Sequence, residues 1–261
     1  MFDGGFDNLE QVLDLVDMRN IKIKIRYKGT SYCGWQSQKN GVAVQDVIER
    51  AIESIGGGKV KLVGSGRTDA GVHALGQAAN FTTDLLMPAG RLPMALNANL
   101  PDDIVVYDAE DVGPGFNAQF NAAGKRYLYC IWNSRFRPGL FDEYCYHYPF
   151  PLDTTKMKET VKVFIGTHDF KNFMSTGSNV KSTVRTIWGI KLIIKDELIF
   201  IDVRGNGFLY NMVRRIAGCL VDVGRGNLDI SAVKDLVYNI GELDKYVTLP
   251  AKGLFLVEVY Y

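Results

Sequence analysis

The sequence predicts an α+β protein made of two halves, each with the element order strand, helix, strand, strand, helix, strand. Apolar residues alternate with polar ones along the segments predicted as strands, and recur at every third or fourth residue along those predicted as helices. Glycine and proline mark several boundaries between segments. Because the same order occurs in residues 18–115 and again in residues 116–261, we predict two halves with that boundary.

The first half begins with a strand in which apolar residues from Ile21 to Tyr27 alternate with lysine and arginine. This period of two is typical of a strand with one face in water. Apolar residues spaced by three and four predict a helix over 44–55, and the three glycines at 56–58 predict its end. The remaining elements of this half are predicted as strands at 59–64 and 76–82, a helix near 88–97 and a strand near 103–110.

The second half repeats this order after a strand at 125–132. We predict an irregular insertion at residues 134–152. This segment is rich in aromatic residues and contains prolines at 138, 149 and 151. The later elements are predicted as a helix near 153–165, two strands at 184–195 and 198–204 joined by a tight turn, a helix with an apolar face over 212–221, a helix near 231–240 and a final strand at 254–260.

Two such units match a duplicated ferredoxin-like arrangement, in which two sheets can join edge to edge and leave a central cleft. Residues 1–17 precede the first strand and hold five acidic residues and no basic one. We predict that this segment is an appendage, either a short amphipathic helix or a stretch upstream of a true start at Met18. Without it the chain has 30 basic against 24 acidic residues, a modestly basic body that is compatible with RNA binding.

Composition excludes several classes of protein. The 261 residues are 47% hydrophobic and 23% charged, which is ordinary for a soluble globular chain. No apolar run is long enough to span a bilayer, and no signal peptide is predicted. The four cysteines and three histidines are scattered, so we predict neither a disulfide framework nor a metal site. We expect reduced thiols and a cytoplasmic location.

Residues 64–74 form a glycine-rich loop between two predicted strands and contain Arg67, Asp69 and His73. Asp69 stands where a dinucleotide-binding fingerprint needs its last glycine, and no GK[ST] follows as a P-loop requires. A hairpin connection with Asp and Gly in turn roles is one interpretation. A functional site is the other, because a turn does not need so many charged and polar side chains.

At this loop the chain resembles the TruA family of tRNA pseudouridine synthases, and the resemblance covers about residues 19–261. Lys28 and Gln119 depart from the family pattern, which has Asp and Arg there. The segments that carry the resemblance are, in order, 27–36 (YKGTSYCGWQ), 66–74 (GRTDAGVHA), 97–101 (NANLP), 116–119 (FNAQ), 125–129 (KRYLY), 166–170 (GTHDF), 185–187 (RTI), 208–214 (FLYNMVR) and 253–254 (GL).

The resemblance implies a pseudouridine-synthase-type sheet with a central cleft and an isomerase that needs no cofactor. It also implies a homodimer that binds tRNA across both subunits and acts on uridines 38, 39 and 40 of the anticodon stem-loop. Acceptance of three neighbouring positions favours recognition of the shape and backbone of the tRNA over recognition of its bases.

The resemblance also implies roles for five residues. Asp69 is the expected nucleophile, and Arg214 the cation that keeps its carboxylate ionised. Tyr127 is expected to stack on the flipped uracil, Leu254 to pack against the base edge, and Arg67 to contact RNA and fill the place of the flipped base. Each of the last four residues also has a purely structural interpretation. Arg214 would then be a surface arginine, and Tyr127 and Leu254 would be core residues. Arg67 would be a loop arginine that pairs with a neighbouring carboxylate.

Two other functions compete with this interpretation. The first is a non-catalytic RNA-binding protein with tandem ferredoxin-like modules, but an RNP1 run is lacking. The second is a hydrolase for small molecules that uses Asp69 with His73, but the sequence has neither a nucleophile elbow nor a carboxylate pair to support it. For His73 and His168 we predict structural hydrogen bonds rather than acid–base roles. The basic residues between 22 and 28 are either an RNA-binding strand face or a solvated one.

Overall fold

The computed structural model describes residues 18–39, 41–177, 180–240 and 247–261, and the predicted appendage lies outside these ranges. The ten strands of the described residues join in one sheet, which is mostly antiparallel. The predicted α+β class is confirmed. Among the helices in the described ranges, none has the length and apolar character needed to cross a membrane.

The first half of the sheet has the strand order β4-β1-β3, with the short β2 paired to the other edge of β3. Strand β2 is shorter than the predicted 59–64, because side chains of the first helix take the backbone groups of Leu62. Glu49 accepts the Leu62 N–H at 2.8 Å, and Gln45 donates to the Leu62 carbonyl at 3.2 Å. The elements of this half are β1 (Arg19–Tyr27), α1 (Val44–Ile52), β2 (Val63–Gly64), β3 (His73–Thr83), α2 (Leu92–Asn97) and β4 (Ile104–Val112).

The second half has the strand order β10-β5-β9-β8-β7, with β6 paired to β5. Two of its strands were not predicted, β6 within the insertion and β7 before β8. They span only three and four residues, too few for a period of two to be recognised. The elements are β5 (Gly124–Asn133), β6 (Tyr146–Tyr148), α3 (Thr154–Thr160), β7 (Gly166–Asp169), β8 (Val184–Lys195), β9 (Leu198–Gly205), α4 (Met212–Gly224), α5 (Ile230–Val237) and β10 (Leu254–Tyr260).

The halves meet where β3 and β10 run side by side in parallel, with Phe255 opposite His73 and Leu256 opposite Ala74. The two strands come so close that a Cβ on Gly76 would lie 2.3 Å from the Val257 carbonyl oxygen. Each half keeps the strand order fourth, first, third, second of a ferredoxin-like unit, so the edge-to-edge arrangement expected from the sequence is present.

One row of buried side chains crosses this junction. The strand registers place Tyr27, Ala74, Leu256, Tyr127 and Val203 next to one another on the same face of β1, β3, β10, β5 and β9. All five side chains belong to a single hydrophobic core cluster. The same cluster contains apolar residues of the helices that pack on this face. The loop before β3 therefore enters the sheet with only β10 between β3 and the strand that carries Tyr127.

Candidate functional site

Residues 65–72, which we call the signature loop, join β2 to β3 at the junction of the halves. Hydrogen bonds on both sides of Asp69 hold the loop in place. The Thr68 carbonyl accepts the Trp35 N–H at 3.1 Å, and the Thr68 hydroxyl bonds to the Tyr27 hydroxyl at 2.8 Å. The Asp69 carbonyl accepts the Val72 N–H at 3.1 Å, which closes a turn around the carboxylate.

Two glycines explain why the segment 27–36 and the signature loop fit together. Gly34 has a φ of +108°, and a Cβ there would lie 2.5 Å from the Thr68 carbonyl oxygen. A Cβ on Gly29 would lie 2.0 Å from the Val72 carbonyl oxygen. Since a side chain at either position would push the loop away, these glycines let two backbones touch directly beneath Asp69.

Arg214, on the first turn of α4, reaches across to the signature loop. Its Nη1 lies 3.3 Å from Oδ2 of Asp69, and the side chains are 16% and 26% exposed. The pairing joins the two halves, because Asp69 belongs to the first and Arg214 to the second. The structure thus brings together the predicted nucleophile and the cation predicted to accompany it.

The guanidinium of Arg214 is fixed by two further acceptors that sequence reasoning missed. Its Nε–H donates to the Leu249 carbonyl at 2.7 Å, and its Nη1–H donates to the Asn211 side-chain oxygen, also at 2.7 Å. Asn211 precedes α4 with a left-handed φ of 61° and in turn donates to the Ser175 hydroxyl at 3.0 Å. The contact with Asn211 could have been predicted from the sequence, because residues three positions apart at the start of a helix are neighbours.

Burial and charge act on the Asp69 carboxyl in opposite directions. Burial raises its pKa above the usual range for aspartate, and the Arg214 guanidinium lowers it through its charge and its hydrogen bond. Burial is the larger effect, so the pKa remains raised. Without Arg214 the carboxylate would hold its negative charge even less readily.

Tyr127 lies on β5 beside this pair and is 7% exposed. Its ring meets Phe208 edge to face, with the centroids 5.2 Å apart. Burial raises the pKa of its hydroxyl, and the charges of Tyr27 and Asp69 add to that rise. The hydroxyl forms no hydrogen bond to any other described residue, so its polar tip is free to bond to a substrate.

Leu254 is the first residue of β10 and lies opposite Tyr129 on the face that carries Tyr127. The turn before it is tightly held. The Tyr129 hydroxyl donates to the Pro250 carbonyl at 2.8 Å, and a Cβ on Gly253 would lie 2.7 Å from the Tyr129 ring. Leu254 is 6% exposed, so both the core and the base-edge interpretations fit its position.

Arg67 is exposed and forms no hydrogen bond or ion pair with another residue of the described ranges. The alternative in which it pairs with a neighbouring carboxylate therefore has no support there. An exposed guanidinium two residues before Asp69 leaves a positive charge at the entrance to the site.

His73 has a structural role, as predicted. The Gly29 N–H donates to its Nδ1 at 3.1 Å, and its Nε2 lies 3.0 Å from the Glu143 carbonyl oxygen. Burial lowers its pKa, so the ring is neutral with its proton on Nε2. With both ring nitrogens occupied, His73 cannot serve as a base for a hydrolase. In the described part of the chain, no three His, Cys, Asp or Glu side chains are placed to hold a metal ion.

Three of the four basic side chains that alternate from Lys22 to Lys28 pair with carboxylates, and the fourth, Arg26, lies over a tyrosine ring. This pairing favours the solvated-face interpretation over an RNA-binding one. The contacts are Lys22 with Glu110 at 2.9 Å, Lys24 with Asp108 at 2.9 Å, Lys28 with Glu143 at 2.5 Å, and the Arg26 guanidinium over the Tyr107 ring at 4.2 Å.

Comparisons with known proteins agree with the motifs. A family model described as tRNA pseudouridine synthase matches residues 23–121 and 160–261. The curated tRNA pseudouridine synthase A of Acetivibrio thermocellus is 47% identical over 244 residues, and that of Caldicellulosiruptor saccharolyticus is 46% identical; each match covers 94% of this chain and 100% of the relative. Among solved structures, an archaeal box H/ACA sRNP Nop10–Cbf5 complex is similar with a TM-score of 0.35 at 12% identity, covering 77% of this chain and 44% of that one.

The family model matches segments of both halves and includes Asp69 and Arg214, whereas Tyr127 lies between the two matched segments. The alignments with the curated relatives cover almost the whole chain, and the sequence identity is well above that expected between unrelated proteins. The chain therefore belongs to the tRNA pseudouridine synthase family, whose members are isomerases.

Proposed function

We propose that this enzyme converts uridine to pseudouridine at positions 38, 39 and 40 in the anticodon stem-loop of tRNA, with Asp69 as the nucleophile. The observation that supports the proposal best is the Asp69 carboxylate itself. Its side chain is 26% exposed and lies 3.3 Å from the Arg214 guanidinium, which comes from the other half of the chain. A structural turn residue would not need a cation delivered from the opposite half of the fold.

The reaction exchanges one bond to the ribose for another. Asp69 attacks either C1′ of the ribose or C6 of the uracil, and both routes form a covalent intermediate. The N1–C1′ bond breaks, the uracil turns, and C5 bonds to C1′. The proton on C5 is lost and N1 gains one, and Asp69 is released unchanged. Atoms and charges therefore balance without a cofactor.

Arg214 keeps Asp69 ionised and aims its carboxylate. Because three acceptors hold the guanidinium, its position does not depend on Asp69 alone. The raised pKa of Asp69 follows from its partial burial, which leaves an anionic nucleophile less solvated and correspondingly more reactive.

Tyr127, buried on β5 at the junction of the halves, supports the uracil of the target nucleotide. Since burial raises the pKa of its hydroxyl, the group is protonated at neutral pH and can pass the C5 proton on only as a relay. Leu254 packs on the same face, and exposed Arg67 contacts the RNA and fills the gap that the flipped base leaves.

We further propose a cytoplasmic homodimer that binds tRNA across both subunits. The resemblance to the family supports these points, and the basic body that remains without residues 1–17 supports the binding of tRNA.

The test is to incubate unmodified tRNA transcripts with the pure protein and to map pseudouridine along the anticodon arm. Transcripts with uridine at only one of positions 38, 39 and 40, and one with uridine at none of them, serve as matched substrates. Modification at these positions alone is expected. Pseudouridine elsewhere in the tRNA would contradict the assigned position, and a complete absence would favour the RNA-binding alternative.

A further inference from the structure

Lys125 lies in the candidate site but has no part in the chemistry described above. It stands on β5, two residues before Tyr127. The register to β9 is continuous here, with Lys125 opposite Gly205, Arg126 opposite Arg204 and Tyr127 opposite Val203. Since side chains alternate along a strand, Lys125 and Tyr127 point to the same face of the sheet.

The ammonium group of Lys125 rests against the signature loop. A Cβ on Gly66 would lie 2.1 Å from Nζ, so the absence of a side chain at Gly66 makes room for this contact. Gly66 precedes Asp69 by three residues, which places their Cα atoms at most about 11 Å apart. The ammonium group of Lys125 therefore contacts the same short loop that carries the Asp69 carboxylate.

Lys125 lacks an anionic partner in the described ranges. Its neighbours are paired, since Arg126 binds Asp202 at 2.8 Å and Arg214 binds Asp69 at 3.3 Å. Burial lowers the pKa of Lys125, and no carboxylate acts against that effect. A partly buried cation without an anion costs stability, and fold alone gives no reason to keep one here.

A nucleotide bound at Asp69 would supply the missing anion. A target uridine inside a tRNA carries a phosphate on each side of its ribose, and each is ionised at neutral pH. In a partly dry cleft, the attraction between a phosphate and an ammonium is stronger than in water. We propose that Lys125 binds a backbone phosphate flanking the target uridine and so sets the ribose against Asp69, an inference that rests on the proposed function.

The test compares Lys125→Met, which keeps length without charge, with Lys125→Arg, which keeps charge. Lys191→Met is the matched control, because Lys191 lies opposite Asp202 on the other face of the same sheet. The dissociation constant for tRNA is measured by filter binding from low to moderate salt. The rate of tritium release from C5-labelled tRNA is measured with enzyme in excess and tRNA saturated.

Loss of one phosphate contact should reduce the log–log salt slope by about 0.7–0.9 in Lys125→Met and weaken binding about five- to eight-fold at 0.1 M salt. Lys125→Arg should restore most of the affinity, and Lys191→Met should keep the slope of the unmodified protein. The saturated rate of Lys125→Met should fall together with the salt slope, because the phosphate contact would no longer set the ribose against Asp69, and Lys125→Arg should restore most of that rate.

An unchanged salt slope with a large fall in the saturated rate would overturn the proposal, since Lys125 would then position the signature loop or transfer a proton. An unfolded Lys125→Met, detected by circular dichroism, would move the decision to Lys125→Arg. Normal slope, affinity and rate in that variant support a charge contact, and loss of rate alone contradicts it. If the unmodified protein itself releases no tritium, the proposed function fails, whereas the salt slopes still report on the phosphate contact.

Discussion

Replacing Arg214 by methionine should destabilise the protein by about 2–4 kcal/mol. Breaking a buried ion pair by removing one partner typically costs about 3–5 kcal/mol, and hydrogen bonds to charged groups about 1.5–3 kcal/mol each. The cost is smaller here because Asp69 is 26% exposed and can take up a proton. For a chain of this size we expect the melting temperature to fall by about 4–16 °C.

The same substitution should change the dependence of activity on pH. The pKa of Asp69 is already raised by burial and is held down in part by Arg214. Removing Arg214 raises it further, so the carboxylate is lost at a higher pH and the acidic limb of kcat/KM moves upward. The stability cost should be greatest above the pKa of Asp69 in the folded protein and should shrink as pH falls and the carboxyl gains a proton.

The assay is a double-mutant cycle of Arg214→Met and Asp69→Asn, with unfolding followed in urea at several pH values. The double variant leaves no unpaired carboxylate and should be less destabilised than the sum of the single variants, by about 0.5–3 kcal/mol. Arg225→Met is the control, because Arg225 pairs with Asp222 at 2.7 Å near the end of α4, away from the site. Additive costs together with an unmoved acidic limb would refute the coupling inferred from the 3.3 Å contact.

Three further outcomes are expected. Tyr127→Phe should bind tRNA normally but react slowly, and Tyr127→Leu should also lose about 5- to 150-fold in affinity, since stacking on a base is worth about 1–3 kcal/mol; full turnover by both would return Tyr127 to the core. Gly34→Ala should lose activity and about 1–3 kcal/mol of stability because of its φ of +108° and the contact with Thr68, whereas Gly90→Ala has open space and should be near neutral in the same unfolding assay. A protein that begins at Met18 should fold and modify tRNA like the full chain, and failure to fold would show that residues 1–17 belong to the core.

Long periodic segments could be predicted from the sequence, and short ones could not. Strand β1 and helix α4 were predicted because alternation or helical spacing runs over many residues. Strands β6 and β7 are too short to show a period. Residues 59–62 do not form the predicted strand, because a side chain of α1 binds the backbone N–H of Leu62. Such backbone–side-chain bonds depend on tertiary contacts that no local pattern contains.

In the candidate site, the residues that belong to motifs could be predicted from the sequence, whereas the groups that hold them in place could not. Asp69 and Arg214 were named from motifs, and they lie 3.3 Å apart although 145 positions separate them in the chain. The acceptors that hold Arg214 were not predicted, because the Leu249 carbonyl is a backbone group with no sequence signature. Lys125 belongs to the motif at 125–129, but its contact with Gly66 depends on the packing of β5 against the signature loop, which the sequence does not contain.

Whether Asp69 forms the covalent intermediate can be decided with the Asp69→Asn variant. The amide is nearly the same size as the carboxylate, and its oxygen can still accept a hydrogen bond from Arg214. The loop should therefore fold, and tRNA should bind, as in the wild-type protein. It is a very poor nucleophile, so no intermediate can form. Tritium release from C5-labelled tRNA, with enzyme in excess, should be absent in this variant and rapid in the wild-type protein. Release slowed by only about 10²–10⁴-fold would instead assign Asp69 to acid–base catalysis and contradict its role as the nucleophile.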